Sequence, residues 1–583
     1  MVKVNIDGRD LEVEAGTRLI KAAIDAGIDI PHYCWHPRLS VAANCRMCLV
    51  EVEKAPKLLP SCEIPVRDGM VVRTASPRVL EARQAVMEFM LLNHPIDCPI
   101  CDQAGECKLQ DYYMAHDRTG TRFSGLKVVK KKAQPLGSTV MLDEERCINC
   151  TRCVRFMDEI AHRPLLGQFD RGDRAVIGVF PRRPLEDPYS LNVVDICPVG
   201  ALTSRDFRFK VRAWFLKSAE SVCPGCARGC NTRVDHYENE IQRLVPRDND
   251  AVNQGWMCDE GRFTYRDLHD PKTLITTPHV RTASGEYAPV SWETARQKLA
   301  EMLAPFVGET DGSLGLAFSA QQTTEGIAAF VELAEQLLQV DAYAILGRPD
   351  GEGDDLLRMA DKNPNRAGAE LVLEAYSIFD EGPELLRRGL QEKRVRALIM
   401  VGGDYAAAEA GDVSAWTAAL AESKVVCFAS NWTDSARAAS LVLPLASYAE
   451  QDGTFVNAQG RMQRIHRALK PLGGRKTAIE AATFTAEALG AGARWRIRDF
   501  AAAFAELKKR TGLLASVEPL KIGPQGVSLE ADLGEGRDNE GAGDAGAGGD
   551  GSSGGSGPGS ASGSGSGSST NRRSPPPQAS SHA

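Results

Sequence analysis

"CINCTRC", residues 147–153, fits three cysteines into seven positions with the spacing C-x2-C-x2-C, and "CPVGAL", residues 197–202, adds a cysteine followed by proline. The chain holds 16 cysteines, and its N-terminus, "MVKVNIDGRD", has no apolar core of a secretion signal. Cysteines at this density without such a signal suggest metal binding rather than a disulfide framework. We therefore expect a metal-binding fold around residues 147–202.

The metal in this region is predicted to be iron held with sulfide. Zinc also takes four cysteines, but zinc sites usually pair two short C-x2-C hooks across a long gap. Three closely spaced cysteines with a distant Cys-Pro instead match the bacterial ferredoxin run. A two-cluster ferredoxin would carry further cysteines where this chain has Met157, Ser190 and Val193. We predict one 4Fe-4S cluster here, with these ligands: Cys147, Cys150, Cys153 and Cys197.

A different cysteine group follows a predicted hairpin and helix. Apolar residues alternate with polar ones from Val2 to Val13 around a "DG" turn, which predicts a hairpin. Thr17 is expected to cap the next helix. The group then follows with the spacing C-x10-C-x2-C-x13-C: Cys34, Cys45, Cys48 and Cys62. This order resembles the plant-type ferredoxin β-grasp, which holds a 2Fe-2S cluster, although the plant spacing is C-x4-C-x2-C.

A histidine belongs to the next group. "HPIDCPICDQAGEC", residues 94–107, offers four ligands: His94, Cys98, Cys101 and Cys107. A helix capped by Ser76 and starting at Pro77 should precede it and end at "NHP". Imidazole binds as a neutral ligand and thiolate as an anion, so His94 should make the reduced cluster easier to reach, as in Rieske centres. We expect His94 to tune the potential of a 4Fe-4S cluster.

The remaining cysteines form one group and one single residue. The group has the spacing C-x2-C-x3-C-x27-C: Cys223, Cys226, Cys230 and Cys258. Cys427, in "VVCFAS", is predicted to be a small buried side chain. The chain is 43% hydrophobic and 25% charged, as in ordinary soluble proteins, and no apolar run is long enough to span a bilayer. A formal charge of −8 argues against a nucleic-acid partner.

Four such groups in this order resemble the large iron–sulfur subunits of respiratory complex I (NADH:quinone oxidoreductase), over residues 1 to 270. The resemblance implies one 2Fe-2S and three 4Fe-4S clusters that carry electrons from a flavin toward quinone. It implies the flavin/NADH-binding subunit and the cluster subunits leading to quinone as partners. It further implies a peripheral position on the cytoplasmic face of the bacterial inner membrane, with no membrane span and no substrate chemistry on this chain.

Alternating strands and helices after residue 270 predict a parallel α/β sheet. "GLAFSA", "VRALIMVGGD", "VVCFAS" and "LVLPLA" read as buried strands. "LVLPLASYAEQDGTFVNAQGRMQ", residues 441–463, resembles the molybdopterin oxidoreductases at five positions: Glu450, Gly453, Thr454, Asn457 and Gly460. No cysteine lies between residues 258 and 427, so we expect no molybdenum, although a serine ligand is left open.

The expected fold class is α+β followed by α/β, in six segments. Residues 1–78 form a 2Fe-2S ferredoxin-like β-grasp, 79–118 a one-His three-Cys 4Fe-4S segment and 138–215 a 4Fe-4S ferredoxin-like domain. Residues 216–272 form an all-cysteine 4Fe-4S domain and 273–520 a truncated molybdopterin-oxidoreductase-like α/β domain. Residues 534–583, rich in Gly and Ser, cannot bury enough apolar surface to offset ordering entropy, so we predict disorder.

Two other function classes stay open at this point. A formate dehydrogenase, or the diaphorase-side subunit of an NAD-reducing hydrogenase, shares the first three cluster motifs, and bound molybdenum would favour the dehydrogenase. A zinc-dependent scaffold would instead be colourless and hold zinc near four per chain.

Overall fold

The computed structural model describes residues 1–117, 120–308, 313–338, 340, 342–402 and 412–529. These residues fall within one unit, Met1–Leu533. The tail predicted to be disordered, residues 534–583, lies outside the described residues. None of the helices in the described ranges is long and apolar enough to cross a membrane.

The N-terminal region is a five-stranded sheet covered by a helix. The predicted hairpin is confirmed as antiparallel strands β1 (Val2–Ile6) and β2 (Arg9–Val13). Three further strands complete the order β2-β1-β5-β3-β4, with β1 parallel to β5: β3 (Leu49–Val52), β4 (Leu59–Pro60) and β5 (Met70–Arg73). Helix α1 (Leu19–Asp25) packs Leu19 and Ile20 into the core of this sheet. This arrangement is the expected β-grasp.

The predicted helix cap at Thr17 is wrong. Arg18 occupies the N-cap position of α1, and no side chain caps the helix. The Thr17 carbonyl accepts a hydrogen bond from the Val66 amide at 2.8 Å. Pairing with the chain beyond β4 therefore fixes the backbone here, one residue before the helix entry.

Two helices flank the histidine-containing loop. Helix α2 (Pro77–Leu91) starts as predicted, because the Ser76 side chain accepts a hydrogen bond from the Val79 amide. It ends three residues before His94. Helix α3 (Lys108–His116) begins directly after Cys107. The loop between the two helices therefore carries all four predicted ligands.

The ferredoxin-like region combines short strands with two single-turn helices. Its sheet has the order β10-β7-β6, and a separate hairpin pairs β8 with β9. The strands are β6 (Gln134–Pro135), β7 (Val140–Leu142), β8 (Leu166–Phe169), β9 (Val176–Val179) and β10 (Leu202–Ser204). Helices α4 (Arg152–Arg155) and α5 (Asn192–Asp195) lie beside the two cysteine segments.

The fourth cysteine group is built on an antiparallel three-stranded sheet of order β11-β12-β13. Its strands are β11 (Lys217–Val222), β12 (Asn231–Tyr237) and β13 (Glu240–Pro246). Three of the cysteines lie in the turn between β11 and β12, and Cys258 directly precedes helix α6 (Asp259–Arg262).

The α/β region centres on a seven-stranded sheet of order β15-β14-β20-β19-β18-β16-β17. The four predicted strands are confirmed and mutually parallel: β16 (Leu314–Ser319), β18 (Ala397–Val401), β19 (Lys424–Ala429) and β20 (Leu441–Pro444). A fifth parallel strand, β17 (Ala342–Leu346), was not predicted, and neither was the antiparallel edge formed by β14 (His279–Arg281) and β15 (Tyr287–Pro289).

Helices and a small sheet surround these seven strands. The helices are α7 (Trp292–Leu303), α8 (Thr324–Leu333), α9 (Arg366–Ala375), α10 (Gly382–Gln391), α11 (Val413–Ala421), α12 (Asp434–Ala438), α13 (Ala478–Ala488) and α14 (Phe500–Arg510). The small sheet, of order β21-β22-β23, consists of β21 (Gly453–Val456), β22 (Arg461–Ile465) and β23 (Val527–Ser528).

One apolar core runs through all the cysteine-bearing regions. It includes Cys34 of the first group, Cys107 of the second, Cys153 of the third and Cys258 of the fourth. Phe455 of strand β21 belongs to the same core. The four groups are therefore packed against one another and against the α/β region, rather than strung along independent domains.

Candidate iron–sulfur sites

The first group brings four buried thiols into contact. Cys34 hydrogen-bonds with the thiols of Cys45 and Cys62, and Cys62 also contacts Cys48. These bonds lower the pKa of Cys34 to about 2 and that of Cys48 to about 7, whereas the bond to Cys34 raises the pKa of Cys45. The thiols share protons because like charges this close repel. Iron(III) would supply the positive charge that lets all four bind as thiolates.

The second group lines a cavity of about 590 Å³ together with apolar side chains. His94, Cys98, Cys101 and Cys107 all face it. His94 Nδ1 is buried and has no hydrogen-bond partner in the described part of the chain. An orphaned buried nitrogen calls for a ligand. Burial lowers the pKa of His94 to about 4, so the imidazole is neutral at pH 7, the form that binds metals.

The third group encloses a smaller cavity. Cys147, Cys150, Cys153 and Cys197 line it with apolar side chains. Asn149 and Thr151 adopt left-handed backbone conformations between the cysteines, which turns the chain tightly enough to aim three thiols at one centre. Burial raises the pKa of Cys147, Cys150 and Cys197 to about 11. These thiols therefore need a bound cation to become thiolates.

The fourth group closes around two glycines. The Cys223 amide donates to the Cys230 carbonyl at 2.8 Å, which folds the β11–β12 turn back on itself. A Cβ at Gly261 would lie 2.8 Å from Cys223 Sγ and 3.4 Å from Cys258 Sγ, and one at Gly225 would lie 3.3 Å from Cys223 Sγ. Only a glycine at residue 261 leaves room for two thiols to approach from opposite ends of the motif. Burial raises the pKa of Cys258 to about 12, as at the third group.

The distances between the thiols distinguish an iron–sulfur site from a zinc site. Zinc with four sulfurs at about 2.3 Å requires sulfurs about 3.8 Å apart. Within the described ranges, the one set of three potential ligand atoms mutually within 4.8 Å is Asp97, Asp143 and Glu145. Lys132 and Arg146 form ion pairs with that set, so it is an internal salt-bridge network. Although single pairs of thiols touch, no three thiols of a cysteine group in the described ranges lie mutually within 4.8 Å, as four sulfurs on one zinc would, and the donors fit iron–sulfur clusters.

Direct contacts join the second and third groups. A Cβ at Gly200 would lie 2.2 Å from Cys101 Sγ. Cys107 Sγ lies 3.9 Å from the Pro198 carbonyl oxygen, which also accepts a hydrogen bond from the Lys108 amide at 3.1 Å. Gly200 lines the cavity of the second group, and its chain neighbours Val199 and Ala201 line that of the third, so the segment after Cys197 separates the two cavities.

The first group contacts both the third and the fourth. Arg155 donates to the carbonyls of Cys34 at 2.6 Å and Cys150 at 3.3 Å. The Trp256 ring stacks on His36 at 5.3 Å and packs against Phe156 at 4.9 Å. The four groups thus form one continuous assembly.

The arginines at these junctions were not predicted from the sequence. Arg152 and Arg155 alternate with the cysteines in "CTRCVRF", residues 150–156, and this interleaving of basic residues with ligands was the available signal. Cys427, the one cysteine outside the four groups, is fully buried in strand β19, as predicted.

Residues of the segment 450–460, which resembles the molybdopterin oxidoreductases, stabilise the α/β region and the loop of the fourth cysteine group. Glu450 forms a buried ion pair with Arg475 at 3.1 Å. Asn457 Nδ2 donates to the Arg228 carbonyl at 3.1 Å, inside the turn that carries Cys226 and Cys230. The α/β region therefore holds the fourth cysteine loop in place.

Known protein families match in the order of the cysteine groups. Residues 1–77 match a 2Fe-2S iron-sulfur cluster binding domain, and residues 83–122 an NADH-ubiquinone oxidoreductase-G iron-sulfur binding region. Residues 137–203 match the ferredoxin-like domain of NADH-quinone oxidoreductase subunit 3, and residues 216–266 an NDSU1/NuoG-like 4Fe-4S domain. Residues 369–481 match molybdopterin oxidoreductase.

Whole proteins give the same assignment. The G subunit of NADH-quinone oxidoreductase from Streptomyces coelicolor is 41% identical over 343 residues, 58% of this chain and 40% of that protein. The chain is homologous to the NADH-quinone oxidoreductase G subunits. The NADH dehydrogenase iron-sulfur protein 1 of Solanum tuberosum mitochondria is 46% identical over 52% of this chain and 41% of its own length. The NADH-ubiquinone oxidoreductase 75 kDa subunit of Reclinomonas americana is 41% identical over 63% of this chain and 53% of its own length.

These matches bear out the predicted resemblance, the fold class and the kinds of cluster-binding domain. The chain spans about half the length of the curated relatives it matches. A solved NAD+-reducing [NiFe]-hydrogenase in the H2-reduced state is 27% identical in sequence. The match covers 36% of this chain and 90% of the hydrogenase chain, with a TM-score of 0.34. The residue-by-residue ligands, the domain boundaries and the absence of molybdenum stay predictions.

Proposed function

We propose that this chain relays electrons within NADH:quinone oxidoreductase, from the flavin toward quinone. The observation that carries the proposal is the direct contact between cysteine groups, above all that of Gly200 with Cys101. A segment that carries ligands of one site also forms the wall of the next site. Neighbouring clusters would therefore lie close together, as electron transfer requires. Substrate chemistry is assigned to other subunits, and no catalytic residue is proposed on this chain.

The proposed ligands follow the four groups. The 2Fe-2S cluster is bound by Cys34, Cys45, Cys48 and Cys62. The three 4Fe-4S clusters are bound by His94, Cys98, Cys101 and Cys107, by Cys147, Cys150, Cys153 and Cys197, and by Cys223, Cys226, Cys230 and Cys258. Once bound, the clusters supply one-electron redox centres. The chain itself supplies thiolates, one neutral imidazole at His94, and largely apolar cavity walls, with Cys98 the solvent-exposed ligand of the second group.

Partner subunits are proposed to cover the exposed surface near the second group. Six large apolar side chains on or near α2, α3 and the cysteine loop are solvent-exposed: Phe89, Ile96, Ile100, Met114, Leu126 and Val129. Exposed apolar surface of this kind marks a protein contact. We assign it to a neighbouring cluster-bearing subunit of the hydrophilic arm, and the chain to a peripheral position on the cytoplasmic face of the bacterial inner membrane.

Anaerobic purification of the full chain tests the proposal. Iron and acid-labile sulfide would be counted, and the reduced protein would be examined by EPR. We expect roughly fourteen irons, from one two-iron and three four-iron centres. Molybdenum would favour the formate dehydrogenase alternative. Colourless protein with zinc near four per chain would overturn the relay.

A further inference from the structure

A buried arginine lies between the first and third cysteine groups. Arg152, in helix α4, is 5% exposed. It donates to the Trp35 carbonyl, next to Cys34, and to the Ile196 carbonyl at 3.3 Å, next to Cys197. One side chain therefore joins the loop of the predicted 2Fe-2S cluster to the Cys-Pro segment of the predicted 4Fe-4S cluster.

Arg152 has no carboxylate to balance its charge among the described residues. The ionisable side chains that act on it electrostatically include the thiols of Cys150, Cys197 and Cys34 and the guanidinium of Arg155. Its Nε is buried without a hydrogen-bond partner in the described structure. A buried guanidinium left unpaired costs several kcal/mol. That cost is offset once the thiols of both groups bind as thiolates around iron.

The neighbouring basic residue has a different environment. Arg155 is only half-buried and donates its hydrogen bonds mainly to backbone carbonyls, including those of Cys34 and Cys150. Exposure to water screens its charge more strongly than that of Arg152. Arg152 is therefore the stronger source of positive potential at this junction.

We propose that Arg152 is a positioning residue shared by two clusters, and that its one buried charge raises the reduction potentials of the first-group and third-group clusters together. Reduction adds one negative charge to each cluster, and a fixed cation in a low-dielectric setting favours the more negative state. The inference rests on the proposed function, because it requires clusters at both groups.

Redox titration of the full chain, followed by EPR, tests the inference. R152Q removes the charge and keeps a hydrogen-bonding side chain. We expect the reduction equilibrium constants of both clusters to fall at least tenfold, about 59 mV for one electron. R152K keeps the charge, and both constants should stay within about threefold of the wild type. R171Q, at an exposed arginine of the same region, is the matched control and should change neither.

The outcomes distinguish this inference from the proposed function. A wild-type chain without cluster signals would contradict the function itself. Intact signals in R152Q with unchanged potentials, or a shift in one cluster alone, would refute the shared role of Arg152. If R152Q fails to assemble, R152K decides the matter, because a tenfold fall in that variant would show that geometry rather than charge sets the potentials.

Discussion

Gly200 lies against Cys101 so closely that a Cβ at residue 200 would fall 2.2 Å from Cys101 Sγ. Gly200 belongs to the Cys-Pro segment of the third group, and Cys101 is a proposed ligand of the second. The contact joins two sites that are 99 residues apart in the chain. It also explains why the residue three positions after Cys197 is a glycine.

Replacing Gly200 with alanine should remove the second cluster. The added methyl group overlaps Cys101 Sγ and displaces this ligand, so we expect the EPR signal of the second cluster to disappear and about four irons to be lost. The control is G178A in strand β9, where a Cβ would meet only Phe169 at an ordinary 3.5 Å. Full iron content in G200A would contradict the proposed ligand set.

Replacing His94 with cysteine should keep the second cluster and lower its potential. A fourth thiolate adds one negative charge and makes reduction less favourable. We expect the midpoint potential to fall by at least about 59 mV, a tenfold change for one electron. An EPR-monitored titration measures it, with the third cluster as internal reference. An unchanged midpoint would refute the tuning role of His94.

Replacing Gln463 with alanine should weaken the fourth site alone. Gln463 Nε2 donates to the Gly229 carbonyl at 2.9 Å, within the turn that carries Cys226 and Cys230. Leaving a buried carbonyl unpaired costs about 1–3 kcal/mol. We expect about four irons fewer on mild heating, with the other three clusters retained. The exposed neighbour Gln459 provides the control variant Q459A, and equal iron loss in both variants would count against this role.

Glu325 should make the α/β region less stable as pH rises. Burial raises the pKa of Glu325 from 4.5 to about 7, although Thr454 donates to it from both its amide and its hydroxyl. Between pH 4.5 and 7 the folded state binds more protons than the unfolded state, so stability is fully present below pH 4.5 and falls as pH rises through this window. The loss is at most about 3 kcal/mol.

The variant E325Q tests this linkage. Glutamine stays neutral, so the free energy of unfolding of this region should lose that pH dependence and exceed the wild-type value at about pH 8. Urea unfolding at about pH 5 and about pH 8 measures the difference, with T454S as a variant that keeps both hydrogen bonds and the wild-type slope. An identical pH slope in E325Q and wild type would show that Glu325 is already ionised when folded.

Local signals in the sequence predicted the hairpin, the start of α2, four of the seven strands of the large sheet and the candidate ligands. The alternation from Val2 to Val13 indicated the hairpin, and Ser76 indicated the start of α2, because period and cap chemistry act within a few residues. Thr17 failed as a cap because the backbone there pairs with Val66. Strand β17 was missed, since the short apolar run at 342–346 carries no alternation that separates strand from helix.

The sequence by itself determined which residues are candidate cluster ligands, because ligand chemistry depends on residue type and on spacing along the chain. Only the tertiary structure decided which sites touch. The proximity of Gly200 to Cys101, the position of Arg152 between two groups and the bond from Asn457 to the Arg228 carbonyl all join distant segments. Such contacts depend on how the apolar core packs, and packing is a property of the whole chain that no local pattern encodes.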